Sequence, residues 1–225
     1  MKDIKRLLRR ILSIILKPRG KAAFYLKLPS FCKLLDVGCG NNGPRIAKDL
    51  LKNSYYVGLD VGNYNQAYSH LADEYIISTP EGFADSLSGL STDFDAVISN
   101  HNLEHCNNRE AVLNAMCDRL KVSGKLFLCF PTEKSIRFPS GRNGTLNYYD
   151  DSTHIGSPPS LSWVSDQLEA KGLIIEYKMA SYKPFFLWLI GAILEPISKV
   201  TKRVGPETWA YYGFEAIIIA KKIAD

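Results

Sequence analysis

From Lys33 onward the chain alternates between short apolar runs and stretches of helical spacing. Lys33–Val37 reads as a strand, Gly38–Gly43 as a glycine-rich turn, and Pro44–Lys52 as a helix with proline suited to its first turn. Tyr55–Leu59, ending at Asp60, is a second strand, Glu74–Ser78 a weaker third, and Phe94–Ser99 a fourth. Arg109–Leu120 is a helix and Lys125–Phe130 a fifth strand. A helix opened by Ser157-Pro158-Pro159 closes at Gly172, Leu173–Tyr177 is a sixth strand, and Phe214–Lys221 is the last. Strands alternating with helices predict a parallel sheet covered on both faces.

Three stretches break this rhythm. Residues 4–16 place Ile4, Leu7, Leu8, Ile11, Leu12 and Ile15 at helical spacing opposite Lys5, Arg6, Arg9 and Arg10, a basic amphipathic helix. Pro18, Gly20 and Pro29 then punctuate a short connector. Residues 131–156 lack periodicity, and a structureless run of that length inside a domain is usually functional. Residues 182–213 hold an uncharged apolar run, 184–194, before the last strand. The division expected is a leader over 1–30 and one domain over 31–225, with 182–213 as an apolar insertion.

Charge sharpens that division. The chain carries a net +5, yet residues 1–30 hold nine basic side chains against Asp3 alone, so the remainder is slightly acidic. The hydrophobic share of 46% and charged share of 23% are globular values, and disorder is excluded. The five cysteines show no metal-ligand spacing and read as free thiols of a reducing cytoplasm. The apolar run at 11–16 is six residues long and followed by Lys17-Pro18-Arg19, which argues against a cleaved signal. No apolar stretch reaches the ~18–20 residues of a membrane span.

The turn Asp36-Val37-Gly38-Cys39-Gly40-Asn41-Asn42-Gly43 lets backbone N–H groups approach a ligand at the start of a helix. Gly38, Gly40 and Gly43, with Asp60 ending the next strand, satisfy a dinucleotide fingerprint that fits NAD, FAD or S-adenosylmethionine. Asp36 discriminates. A carboxylate two positions before the first glycine repels a pyrophosphate and suits the ammonium and sulfonium of S-adenosylmethionine.

These residues resemble the class I S-adenosylmethionine-dependent methyltransferases, in particular the branch acting on small molecules, lipids and envelope sugars. The segment 34–43 is similar to their first motif. Asp60 matches the acidic residue that binds ribose hydroxyls in that family, and Asp95–His105, ending Leu103-Glu104-His105, resembles the fourth-strand motif. Leu120–Leu126 resembles the leader into strand five, with Val122 and Ser123 departing from its usual Pro-Gly. The resemblance covers about residues 33–130. It implies a doubly wound, mostly parallel, seven-stranded Rossmann-like α/β sheet with an antiparallel last strand. It also implies cofactor contacts from Asp36, Gly38, Cys39, Gly40, Asp60, Asn100 and His101. Ser78–Asp85 departs most from the family, leaving Glu81 and Phe83 as candidates to meet the adenine.

Methyl transfer to a hydroxyl or protonated amine needs alignment and a base. His154, in the segment Tyr148–His154 of the long loop, is the expected base, oriented by Asp150 or Asp151; Asp151 is the expected partner. The Asp-Asp-His grouping is not read as a metal site, and no metal is expected. Arg137, Arg142, Tyr148 and Tyr149 are placed to engage a sugar or phosphate. The basic leader (1–20) and the apolar segment (184–203) together suggest docking on an anionic membrane surface. The residues Asn100-His101-Asn102-Leu103 lack the proline-aromatic signature of base-amino methyltransferases, and nucleic acid is not expected. The expectation is a cytoplasmic, peripheral enzyme methylating a hydroxyl of a small-molecule, lipid or glycan acceptor. The alternatives are an NAD(P)-dependent oxidoreductase and a non-catalytic cofactor-binding or membrane-scaffold protein.

Overall fold

A computed structural model describes residues 11–12, 14–61 and 67–223. Residues 4–10 of the expected leader helix lie outside the described residues; residues 11–12 and 14–16 are helical. Seven strands form one sheet: β1 (Lys33–Val37), β2 (Tyr55–Val61), β3 (Glu74–Ser78), β4 (Phe94–Asn100), β5 (Leu120–Pro131), β6 (Leu173–Met179) and β7 (Glu215–Lys222). Their order is β3-β2-β1-β4-β5-β7-β6. The first five pair in parallel, and β7 runs antiparallel to both β5 and β6, as expected for the last strand.

The two-residue period of the strands divides the core. Leu35, Val37, Val97, Leu126 and Leu128 face one side. There α3 (Phe83–Ser88), α4 (Arg109–Asp118) and α5 (Leu161–Ala170) pack through Phe83, Leu87, Val112, Leu113, Val164 and Leu168. Leu34, Tyr56, Ala96, Ile98, Phe127 and Cys129 face the other, under α1 (Lys21–Tyr25) and α2 (Gly43–Leu50). Helix α1 stands where a connector was expected. Its Ala23, Phe24 and Tyr25 are buried, with the Phe24 ring 5.4 Å from that of Phe127, so this part of the leader belongs to the core.

The apolar segment before β7 folds as α6 (Phe185–Thr201) and α7 (Pro206–Tyr212). The amphipathicity of α6 is inverted. Leu187, Gly191, Glu195 and Ser198 are its buried residues, one every three or four positions. Its exposed side carries Phe185, Phe186, Leu189, Ile190, Ile193, Leu194, Ile197 and Val200. Gly191 permits the inward contact, because a Cβ there would lie 2.1 Å from the Glu207 carbonyl oxygen. Arg142 does not face solvent. It is buried and paired with Glu195 through Nη2 at 2.9 Å, beside the Ser198 hydroxyl at 3.0 Å.

Candidate active site

The carboxyl ends of β1, β2 and β4 open into a cleft of about 870 Å³, bordered by Gly38, Gly40, Asp60, Phe83, Asn100 and His105. The turn after β1 requires glycine twice. Gly38 has φ +70°, and a Cβ on it would fall 2.5 Å from Asn102 Oδ1. Gly40 has φ +63° and nothing within 4 Å of where a Cβ would stand, so its bare backbone faces open space. Asp60 Oδ2 accepts a 2.7 Å hydrogen bond from the Gly40 N–H, holding the turn against the end of β2. Glu81 and Phe83, the candidates to meet the adenine, both border this cleft, as does Cys39.

Asp36 is placed differently from the expectation. Its side chain is fully buried and accepts from Lys21 Nζ at 2.7 Å, Tyr56 Oη at 2.8 Å and Tyr25 Oη at 3.1 Å. The ammonium beside this carboxylate is the chain's own. Lys21 therefore weakens the electrostatic case against a pyrophosphate, because Asp36 is neutralised before any ligand arrives. Burial, and then Asp36 itself, push both phenols above the usual tyrosine range.

A second cleft, of about 780 Å³, lies on the other side of Asn100 and His101. Its walls are largely apolar, with Leu12 and Leu16 of the leader, Phe127 and Ile217 of the sheet, Leu187 of α6 and Trp209 of α7. Lys21, Asn100 and His101 border both clefts. His101 has a left-handed φ of +54°, a conformation that costs a non-glycine residue energy and concentrates at functional sites. Its Nδ1 lies 3.1 Å from Glu104 Oε1 and its Nε2 3.6 Å from Glu215 Oε1. Its ring packs 5.1 Å from Trp209. Burial alone would depress His101, but Cys129, Glu104 and Glu215 outweigh it and hold it well above the usual imidazole range. The group at the junction is an imidazole held between two carboxylates. Lys17 closes the set, reaching Glu215 at 2.8 Å.

His154 and Asp151 border neither cleft. His154 Nδ1 lies 2.6 Å from the Tyr148 carbonyl oxygen, its ring stacks on Tyr148 with centroids 4.3 Å apart, and Asp151 Oδ2 is 3.8 Å from Nε2. Burial holds His154 below the usual imidazole range. Asp150 caps the Gly141 N–H instead of His154. Of the other loop residues, Tyr148 is buried and Tyr149 exposed. His70 lies in an exposed single turn, Ser69–Leu71.

Sequence reasoning did not single out Lys21, Arg109 and Glu215, and it read Glu104 only as part of the Leu103-Glu104-His105 motif. Arg109 donates to the Leu103, Ile155 and Ser157 carbonyl oxygens, which pins the 148–157 loop beside the turn after β4. A charged residue opening an otherwise apolar strand, as Glu215 does, was the available signal for that position.

Residues 35–128 match the family described as a methyltransferase domain, and that match implies S-adenosylmethionine as its cofactor. No curated protein matches the chain. Among solved structures, an S-adenosylmethionine-dependent methyltransferase from Mesorhizobium loti is 15% identical with a TM-score of 0.60, covering 90% of this chain and 99% of that one. A geranyl diphosphate methyltransferase, solved with GPP and sinefungin, is 14% identical with a TM-score of 0.57, covering 91% and 78%. The cyclase SpnF is 21% identical with a TM-score of 0.55, covering 96% and 81%. These likenesses show the fold, and a cyclase among them means that the fold does not fix the reaction. The residues present fit the cofactor: two left-handed glycines, a carboxylate at the end of β2 and an apolar wall at Phe83 form one continuous cradle.

Proposed function

We propose that this protein transfers a methyl group from S-adenosylmethionine to a hydroxyl of a lipid-like acceptor, a lipid-linked or envelope glycan or a related lipid. The observation that carries this reading is the meeting of two clefts at Asn100, His101 and Lys21, one with a glycine cradle and one with apolar walls. The bound cofactor supplies an electrophilic methyl carbon on a sulfonium. The protein's share is alignment, worth up to about 7–11 kcal/mol of barrier when the reactants are well held. Asn100 and His101, at the end of β4, orient the acceptor oxygen, and Phe127, Leu187 and Trp209 exclude water around it. Both nitrogens of His101 already face carboxylates, Glu104 and Glu215, so its role is positioning. His154 and Asp151, the expected base and partner, would act only from outside both clefts.

The inverted α6 supports a membrane-borne acceptor. Its exposed apolar face lies opposite an inward side whose Leu187 borders the apolar cleft, and the leader contributes Leu12 and Leu16 to that same cleft. The basic leader complements anionic headgroups. Among the described residues no helix is long and apolar enough to cross a membrane, so the contact proposed is peripheral. Incubation with radiolabelled S-adenosylmethionine and envelope lipid extract tests the reading: label is expected in the organic phase. Cofactor binding with no label transferred to any extract would favour a non-catalytic scaffold.

A further inference from the structure

The turn after β4 and the 148–157 loop bring together a second chemical constellation that methyl transfer does not require. Glu104, His105 and His154 each offer one ligand atom, all within 4.8 Å of one another. Glu104 is fully buried, and its Oε2 has no hydrogen-bond partner among the described residues. A buried carboxylate oxygen without a partner costs free energy, and a missing ion is one of the few explanations. Both imidazoles are prepared as ligands. His105 Nδ1 faces the Thr153 carbonyl oxygen at 3.2 Å, and His154 Nδ1 faces that of Tyr148 at 2.6 Å. A ring whose Nδ1–H donates to a carbonyl carries its lone pair on Nε2, the arrangement that outer hydrogen bonds impose on metal-binding histidines. The loop is fixed in place by the Ile155 N–H on the Glu104 carbonyl oxygen at 2.9 Å, and by Arg109.

We propose that Glu104, His105 and His154 bind a divalent transition-metal ion, with zinc the best match to two imidazoles and one carboxylate. Small side-chain rotations bring the three atoms to the ~2 Å bonds of such an ion. Asp151, 3.8 Å from His154 Nε2 and oriented by the Thr153 N–H at 2.9 Å, supplies a further oxygen at the rim. His105 and Thr153 border the glycine-lined cleft, so the ion stands at its edge. The site stands apart from the apolar cleft and does not depend on the proposed methyl transfer. The nearby set of His101, Cys129 and Glu215 is the weaker ligand group. Lys17 occupies both Glu215 oxygens, and both His101 nitrogens already face carboxylates.

The test is equilibrium binding of zinc to chelator-stripped full-length protein, by competition with a chromophoric chelator and without cofactor. One ion per chain is expected. Glu104→Gln and His154→Ala are each expected to weaken it at least about 100-fold, since even losing an outer partner costs 10–100-fold. Cys129→Ser is expected to leave it unchanged, and cobalt substitution to show no thiolate charge-transfer band. His105→Ala, on the cleft-facing side, provides the same reading should the buried Glu104 variant fail to fold. No stoichiometric zinc, or binding that survives these variants and disappears in Cys129→Ser, would overturn the assignment. S-adenosylhomocysteine binding to the stripped protein separates this failure from failure of the proposed function.

Discussion

Lys21 Nζ and Asp36 Oδ2 lie 2.7 Å apart, with Asp36 fully buried and the Lys21 side chain 17% exposed. The ion pair joins the leader to the end of β1 and leaves Lys21 bordering both clefts. Removing one partner of a buried pair strands the other's charge, at about 3–5 kcal/mol. Lys21 keeps some contact with water, so a loss of about 2–3 kcal/mol is expected for Lys21→Met. Urea unfolding measures it. An unchanged midpoint would show that the two phenols suffice to hold Asp36.

Glu215 sets an acid limit on stability. Burial alone would raise its carboxyl, but Lys17 and His101 outweigh that and hold it down at about 2, with Cys129 and Tyr182 also close by. A group depressed on folding contributes stability above its unfolded value of about 4.3, and the contribution disappears as pH falls toward 2. The span is worth about 3 kcal/mol. Denaturation between pH 7 and pH 3 is expected to show about half of this loss in the wild type and a shallower slope in Glu215→Gln.

The inverted helix makes a contrast between its faces. Ile193 and Ile197 are 68% and 59% exposed, and their replacement by glutamate is expected to change stability by no more than about 0.5 kcal/mol each. The same double variant is expected to lose co-sedimentation with anionic vesicles. Arg142→Ala, in the loop packed against the inner face, is expected to cost about 3–5 kcal/mol by leaving the buried Glu195 without its counter-charge. Retained vesicle binding in the double variant would remove the membrane reading.

Thiol chemistry checks the core. Burial pushes Cys39, Cys106 and Cys117 up to about 12, which keeps them as thiols at neutral pH. Native protein is expected to react negligibly with a disulfide reagent at pH 8 and to yield five thiols after unfolding. Rapid labelling of Cys39 alone would mean that its cleft is more open than described.

Much of the fold was legible because the strands of this sheet are short apolar runs bounded by glycine, proline or charge. β1 and β3 occur over the residues expected, and the others differ by a few residues at their ends. The glycine turn was legible for a local reason, since a left-handed backbone at Gly38 and Gly40 leaves a signature in sequence. The junction was not. Lys21, the His101–Glu104 pair and Glu215 come from three separate segments, and their meeting is a product of strand order. Helix α6 was legible only as an apolar run: which side turns inward is set by the close approach of α7 to Gly191 and by Arg142, which draws in Glu195 and Ser198. Helix α1 was hidden because its five residues are too few for a period to show.

Isothermal titration of the purified protein with S-adenosylhomocysteine, and separately with NAD, measures the affinity of the glycine-lined cleft for an S-adenosyl nucleoside. One nucleoside per chain, no heat from NAD, and at least about 100-fold weaker binding in Gly38→Ala, whose Cβ would strike Asn102, are the expected results. NAD binding in place of the nucleoside, or nucleoside affinity indifferent to Gly38→Ala, would contradict it.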